Sequence, residues 1–189
     1  LSVQELSEGL TNVGLVVDTT TPIGDDYCLD VEVTSNRPDC LGIMGIAREV
    51  AVIVHGEFVV PAVEYIATDE NIEEATSVTI EEKDLCSRYT ARIIRGATIA
   101  PSPEWLQQRL QVIGLRPVNN VVDITNYVLM ECGQPLHAFD LDALEGKRIV
   151  VRCASNGETL EAIDGSKCTF TSDLLVIADS KKPVAVAGI

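Results

Sequence analysis

Hydrophobic positions at the start of the chain recur at helical spacing: Val3, Leu6, Leu10 and Val13 fall on one face. Ser2 and Glu5 form a capping-box pattern ahead of them, and Gly14 supplies a stop. The period then changes. Leu29, Val31 and Val33 alternate with Asp30 and Glu32, which predicts a half-buried strand. Ser35-Asn36-Arg37-Pro38-Asp39 is turn chemistry leading into a helix from about Cys40 to Val54. His55, at that helix end, reads as a cap rather than a site residue. Gly42 and Gly45 lie inside the predicted helix, where glycine costs ~1 kcal/mol relative to alanine. Close backbone packing on one face would offset that cost.

The second half reads as strand, helix, then several strands. Residues 89–94 predict a strand. Ser102 can cap a helix with Pro103 at its first position and Gly114 just past its end. Trp105, Leu106, Leu110 and Ile113 supply its expected buried face. Asn119-Asn120 reads as a turn. Residues 121–124 are a short apolar run with one Asp, expected as a strand. A polar step, Thr125-Asn126, follows, readable as a helix cap, then a short helix. Gly133-Gln134-Pro135 breaks the chain and presents His137, one of two histidines. Residues 149–153 predict a strand. Residues 160–163 and 167–170 flank Asp164-Gly165, a strong hairpin signal. Residues 174–178 and 184–187 flank a further turn at residues 180–183. The class is α+β: a small helix and strand domain followed by a mostly antiparallel sheet with helices. The chain stops at Ile189, inside an apparent strand and its turn, which predicts a fragment.

Composition sharpens this picture. In 189 residues, 46% are apolar and only 4% aromatic, so the core must be mostly aliphatic. The net charge of −15 is carried by residues 1–85, with 18 acidic against 3 basic side chains; residues 86–189 balance at 11 each. An acidic half repels nucleic-acid backbones, because phosphate contact needs cations. The asymmetry predicts two domains, 1–83 and 84–189, with residues 68–77 as an acidic linker. No apolar run approaches the ~20 residues of a membrane span. Six cysteines occur without a CxxC pair, which argues against zinc or redox chemistry and for reduced thiols.

Two blocks resemble the beta subunits of bacterial-type phenylalanyl-tRNA synthetases. Thr34-Ser35-Asn36-Arg37-Pro38-Asp39-Cys40-Leu41-Gly42, continuing to residues 47–50, resembles the helical domain before the editing domain. Residues 86–189 resemble the first part of the editing domain, through Gly114-Leu115-Arg116-Pro117, residues 122–127 and residues 134–140. The resemblance implies removal of tyrosine mischarged onto phenylalanine tRNA. It implies His137 as the catalytic residue, placing the terminal ribose or the attacking water. Thr125 and Asn126 would hydrogen-bond the ester or the aminoacyl amine, Arg116 would meet backbone or phosphate charge, and Gly188 would line the site. Each also has a plainer reading: His137 as a turn residue, Arg116 as an ion-pair partner, Gly188 as a tight backbone approach. The implied partners are the acceptor end of phenylalanine tRNA and an alpha subunit in an alpha2beta2 heterotetramer, in the cytoplasm, without membrane or DNA. No metal or cofactor is implied here, since ATP and magnesium would belong to the alpha subunit.

The pattern departs from the family twice. The oligonucleotide-binding-type module usually inserted after the first helix is replaced by residues 16–30. The carboxylate that reads the tyrosine hydroxyl would lie beyond Ile189. Two other functions fit the same residues: a non-catalytic tRNA-docking scaffold, and a free-standing aminoacyl-tRNA deacylase.

Overall fold

The structure, a computed structural model, describes residues 1–162 and 165–187. Its helices are α1 (Val3–Asn12), α2 (Ile43–Ile53), α3 (Ile72–Ala75), α4 (Glu104–Val112) and α5 (Asn120–Cys132). Its strands are β1 (Val16–Ile23), β2 (Asp26–Glu32), β3 (Ser77–Ile80), β4 (Arg148–Cys153), β5 (Thr159–Glu161), β6 (Lys167–Thr169), β7 (Leu175–Ala178) and β8 (Pro183–Val186). The class is α+β, as expected. The chain divides into two compact units: Leu1–Tyr65 with Thr98–Ala138, and Ile66–Ala97 with Phe139–Ile189.

In the first unit the Ser2 hydroxyl accepts from the Glu5 amide at 3.3 Å. The Glu5 carboxylate accepts in return from the Ser2 amide at 2.7 Å, closing the expected capping box. Residues 16–30, expected to be a connection, instead supply β1 and most of β2, an antiparallel hairpin with an irregularity between Val17 and Thr19. Leu10, Leu15 and Cys40 form the buried centre, and Leu6, Leu29, Val31, Ile46 and Ile53 pack against it. The helix expected from Cys40 is divided into a 3-10 turn at Pro38–Cys40 and α2, with Gly42 as the N-cap. Close backbone packing at the glycines is present. A Cβ on Gly45 would lie 1.8 Å from the Asp39 carbonyl oxygen, and one on Gly42 would lie 2.7 Å from the Gly133 amide nitrogen.

The division differs from the expected split at residue 83. Helices α4 and α5 belong with α1 and α2, because α5 packs on both α2 and α4. The first unit then holds 14 acidic and 4 basic residues, a net −10, and the second a net −5. A charge step along the sequence therefore does not mark the spatial boundary. The expected linker at residues 68–77 contains α3 and the start of β3. Residues 89–94 form no strand.

The second unit is built on a sheet of order β3-β4-β7-β8. The β3–β4 pair is parallel, whereas β4–β7 and β7–β8 are antiparallel. Leu144, Ile149, Val151 and Ile177 form one core cluster, and Ala154, Phe170 and Val176 a second. The β5–β6 hairpin forms as the sequence predicts; Ile163 and Asp164 lie outside the described residues. Half-buried Glu158 and buried Asp179 fasten the loops. Glu158 takes a two-pronged contact from Arg152 at 2.8 and 3.0 Å. Asp179 accepts from the amides of Lys181, Lys182 and Glu145. Burial pushes the Asp179 carboxyl up, but these three amides outweigh it, so its pKa lies below the ordinary value.

Candidate functional site

Of the site residues named from the sequence, Thr125 and Asn126 lie on α5, Arg116 on the loop before it and His137 on the chain after it. Asn119 caps α5: its side-chain oxygen accepts from the amides of Val121 and Val122 at 3.1 and 3.0 Å. Asn120 reaches sideways. Its side-chain amide donates to the Thr98 carbonyl at 2.9 Å, and its side-chain oxygen accepts from the Ala100 amide at 3.3 Å. One asparagine thus starts the helix while the next holds residues 98–100 against it. The expected strand at residues 121–124 is part of this single helix, because the Asn119 cap begins it at Asn120. Gly133, in the left-handed region at φ 71°, ends it.

Asp123 is the buried polar centre. It is 1% exposed, and Ser102 is 6% exposed. One carboxylate oxygen accepts from the Ser102 hydroxyl at 2.5 Å and the other from the Val118 amide at 2.8 Å. Asp123 therefore ties the segment before α4 and the α4–α5 loop to the first turn of α5. Its position near the helix N-terminus is the favourable end of the helix dipole for an acidic group. Ser102 was expected to cap α4. Pro103 occupies the N-cap position instead, which leaves the Ser102 hydroxyl for Asp123. Leu106 and Leu110 bury as expected, while Trp105 and Ile113 remain 54% and 41% exposed.

Thr125 and Asn126 are half-buried neighbours inside α5 and do not cap it. The Thr125 hydroxyl donates to the Val122 carbonyl at 2.7 Å. Its hydrogen is thereby committed, while its oxygen can still accept. Arg116 is exposed on the α4–α5 loop that Asp123 restrains through Val118. His137 is exposed in an irregular stretch after Gly133. Gly188 lies outside the described residues.

The sequence reading missed the Ser102–Asp123 pair and a ring cluster across α4 and α5. Trp105 and Tyr127 meet edge-to-face with centroids 5.7 Å apart. The Arg109 guanidinium lies 5.9 Å from the Trp105 ring centre and donates to the Tyr127 hydroxyl at 3.0 Å. The available signal was spacing: Trp105 and Arg109 are four apart on α4, and Asp123 and Tyr127 four apart on α5. Elsewhere, Asp39, Cys40 and Glu49 bring three possible metal-ligand atoms together. Arg37 already occupies that cluster, 2.9 Å from Asp39 and 2.7 Å from Glu49, so its charges are met by a guanidinium.

Residues 85–189 match the B3/4 domain family, and this stretch contains α4, α5, Asp123 and the sheet strands β4 to β8. The chain belongs to the B3/4 domain family. The B3/4 match begins at residue 85, next to the boundary expected at residue 83, and contributes residues to both compact units. Beyond the B3/4 region the similarity extends across the chain. A phenylalanine–tRNA ligase beta subunit of Rhodopirellula baltica is 46% identical over all 189 residues, covering 28% of that protein. A beta subunit of the same name from Moorella thermoacetica is 50% identical over 164 residues, covering 87% of this chain and 20% of its own length. One from Syntrophus aciditrophicus is 42% identical across 98% of this chain and 26% of its own length. The chain thus spans about a quarter of the length of these relatives. Among the described residues, no helix is long and apolar enough to cross a membrane.

Proposed function

We propose that this chain is the proofreading region of a phenylalanine–tRNA ligase beta subunit, acting on tyrosine wrongly esterified to phenylalanine tRNA. The observation that carries the reading is α5. It carries Thr125 and Asn126 in the turn after Asp123, which with Asn120 fixes the chain around the start of the helix, within the region matched by the B3/4 family. In the relatives' names the substrate is a tRNA, and the rest follows from the chemistry of these side chains.

An apolar pocket for phenylalanine rejects one added hydroxyl poorly, so discrimination benefits from a second, hydrolytic site. There, a water oxygen attacks the ester carbonyl carbon. The carbon–oxygen bond to the terminal ribose breaks, the ribose oxygen takes up a proton, and the amino acid leaves as a carboxylate. Thr125 acts as an acceptor for the aminoacyl amine, because its own hydrogen is held by Val122. The Asn126 amide can both donate to the ester carbonyl and accept from the amine. His137 orients the water or the ribose, its two ring nitrogens offering a donor and an acceptor. Arg116 meets phosphate charge. The scheme needs His137, Thr125 and Asn126 within hydrogen-bond reach of one point. Charging itself, with ATP and magnesium, belongs to an alpha subunit in an alpha2beta2 assembly in the cytoplasm.

The test is a comparison of ester hydrolysis by the full-length ligase. Tyrosyl and phenylalanyl esters of phenylalanine tRNA are supplied preformed, and amino-acid release is timed. Faster release of tyrosine is expected. Equal rates, or none above the uncatalysed background, would overturn the proofreading assignment and leave a docking role.

A further inference from the structure

The first unit holds only 4 basic side chains against 14 acidic ones, yet among the described residues Arg116 pairs with no carboxylate. Its backbone is held from three directions. The Leu115 amide before it donates to the Leu110 carbonyl of α4 at 2.9 Å. Pro117 after it has a fixed φ and confines Arg116 to extended backbone. The Val118 amide then donates to the Asp123 carboxylate at 2.8 Å. The first two restraints lie in α4 and the loop itself; Asp123 supplies the restraint that comes from α5. It is 1% exposed, and among the described residues no cation pairs with it. Burying an unpaired carboxylate costs stability that bonds from neutral donors offset only in part. An apolar side chain of similar size would fill the space without that cost, but it could not accept from the Val118 amide.

We propose that Asp123 is a positioning residue for proofreading: through the Val118 amide it sets where the loop presents the Arg116 guanidinium, and so how tightly the enzyme holds a phosphate of the tRNA acceptor end. The proposal rests on the proofreading reading for its substrate and adds a residue that acts without touching that substrate. An arginine side chain has many rotamers, and a backbone already fixed leaves less to order when the phosphate binds. With Val118 released, Arg116 stays anchored only on its α4 side, through Leu115. The consequence falls on binding rather than on ester chemistry. A phosphate away from the reacting carbon carries the same charge in the ground and transition states, so its contact with Arg116 contributes equally to both. Loss of such a contact raises KM and leaves kcat in place. The Ser102 hydroxyl, on the other carboxylate oxygen, ties down the segment before α4 and does not reach the Arg116 loop.

The experiment measures KM and kcat for hydrolysis of tyrosine esterified to phenylalanine tRNA, using the full-length ligase. Arg116→Ala is expected to raise KM roughly 10-fold, the loss of one charge-assisted hydrogen bond, with kcat near the parent value. Asp123→Ala is expected to raise KM by roughly 3- to 10-fold, up to the loss of that same bond, again with kcat held. Asp123→Asn keeps an acceptor for the Val118 amide and should restore most of the parent KM. The double variant decides: because both changes remove one function, Arg116→Ala with Asp123→Ala should be no worse than Arg116→Ala alone. Effects that multiply would overturn the proposal, as would a parent-like KM in either single variant or a fall in kcat at unchanged KM in Asp123→Ala. Ser102→Ala should keep the parent KM; a rise matching that of Asp123→Ala would assign both to general loosening of the fold and overturn the positioning role. If melting curves show that Asp123→Ala does not fold, Asp123→Ser, a shorter side chain, takes its place in the same cycle. A parent ligase that releases no tyrosine overturns the proofreading reading and this proposal with it, whereas hydrolysis with independent effects overturns this proposal alone.

Discussion

The Ser102 hydroxyl donates to the Asp123 carboxylate at 2.5 Å, with both residues buried. Because Asp123 also accepts from the Val118 amide, one side chain fixes two segments beside α5. Asp123→Ala would leave the buried Ser102 hydroxyl without its acceptor and release the Val118 amide. The expected cost is about 1–3 kcal/mol, from leaving a buried partner unsatisfied. Asp123→Asn keeps an acceptor and should cost less. Denaturant midpoints measure the difference, and an Ala variant as stable as the parent would show that these loops are held by other contacts.

Gly45 has no room for a side chain. A Cβ there would meet the Asp39 carbonyl oxygen at 1.8 Å, and backbone cannot step aside as a flexible side chain can. Gly45→Ala is expected to destabilise by about 3 kcal/mol or more, at the upper end of overpacking costs. Gly42→Ala should be damaging as well, because its Cβ would press on the Gly133 amide at 2.7 Å and force α2 and α5 apart. Gln4→Ala on the exposed surface of α1 serves as the control, with an effect within about 0.5 kcal/mol. Thermal melts of the three variants check the order.

Acid should weaken the first unit through Asp39. The Arg37 guanidinium holds this carboxyl at about 2, below its ordinary 3.8. A lowered folded-state pKa contributes stability that is complete above about pH 4 and lost as pH falls toward 2. Glu158 in the second unit is lowered in the same direction, chiefly by Arg152, so it adds to the loss below its ordinary 4.5. Arg37→Met should flatten the part of the pH–stability curve that belongs to Asp39. A curve of unchanged slope between pH 4 and 2 would contradict the coupling.

Local features of the fold were legible in the sequence, and distant ones were not. The Ser2–Glu5 capping box needs only neighbours four residues wide, and it forms as read. The glycines at 42 and 45 announced a close approach, although not that Gly133, just past α5, was the partner of Gly42. Packing of α5 on α2 and α4 groups these helices in one compact unit, while the B3/4 match begins at residue 85, beside the boundary read at 83. Residues 121–124 read as a strand because four apolar-rich residues carry no clear period; Asn119, taken for a turn, was the cap that decided for helix. Residues 89–94 have strand-forming side chains but no paired neighbour, and a strand is defined by its partner. At the site, His137, Arg116, Thr125 and Asn126 came from motif resemblance. Asp123 escaped notice because an acid within an apolar run gives no sign from sequence of the Ser102 hydroxyl and Val118 amide it will meet.

The central claim stands or falls on His137. In the full-length ligase, His137→Ala is expected to slow hydrolysis of tyrosine esterified to phenylalanine tRNA by about 100-fold, the lower end for a positioned acid–base group. Phenylalanine charging, measured on the same preparation, should stay near the parent rate, since the proposed scheme assigns it to a separate site. Hydrolysis at the unmutated rate would contradict the account and leave α5 and its loops as a docking scaffold.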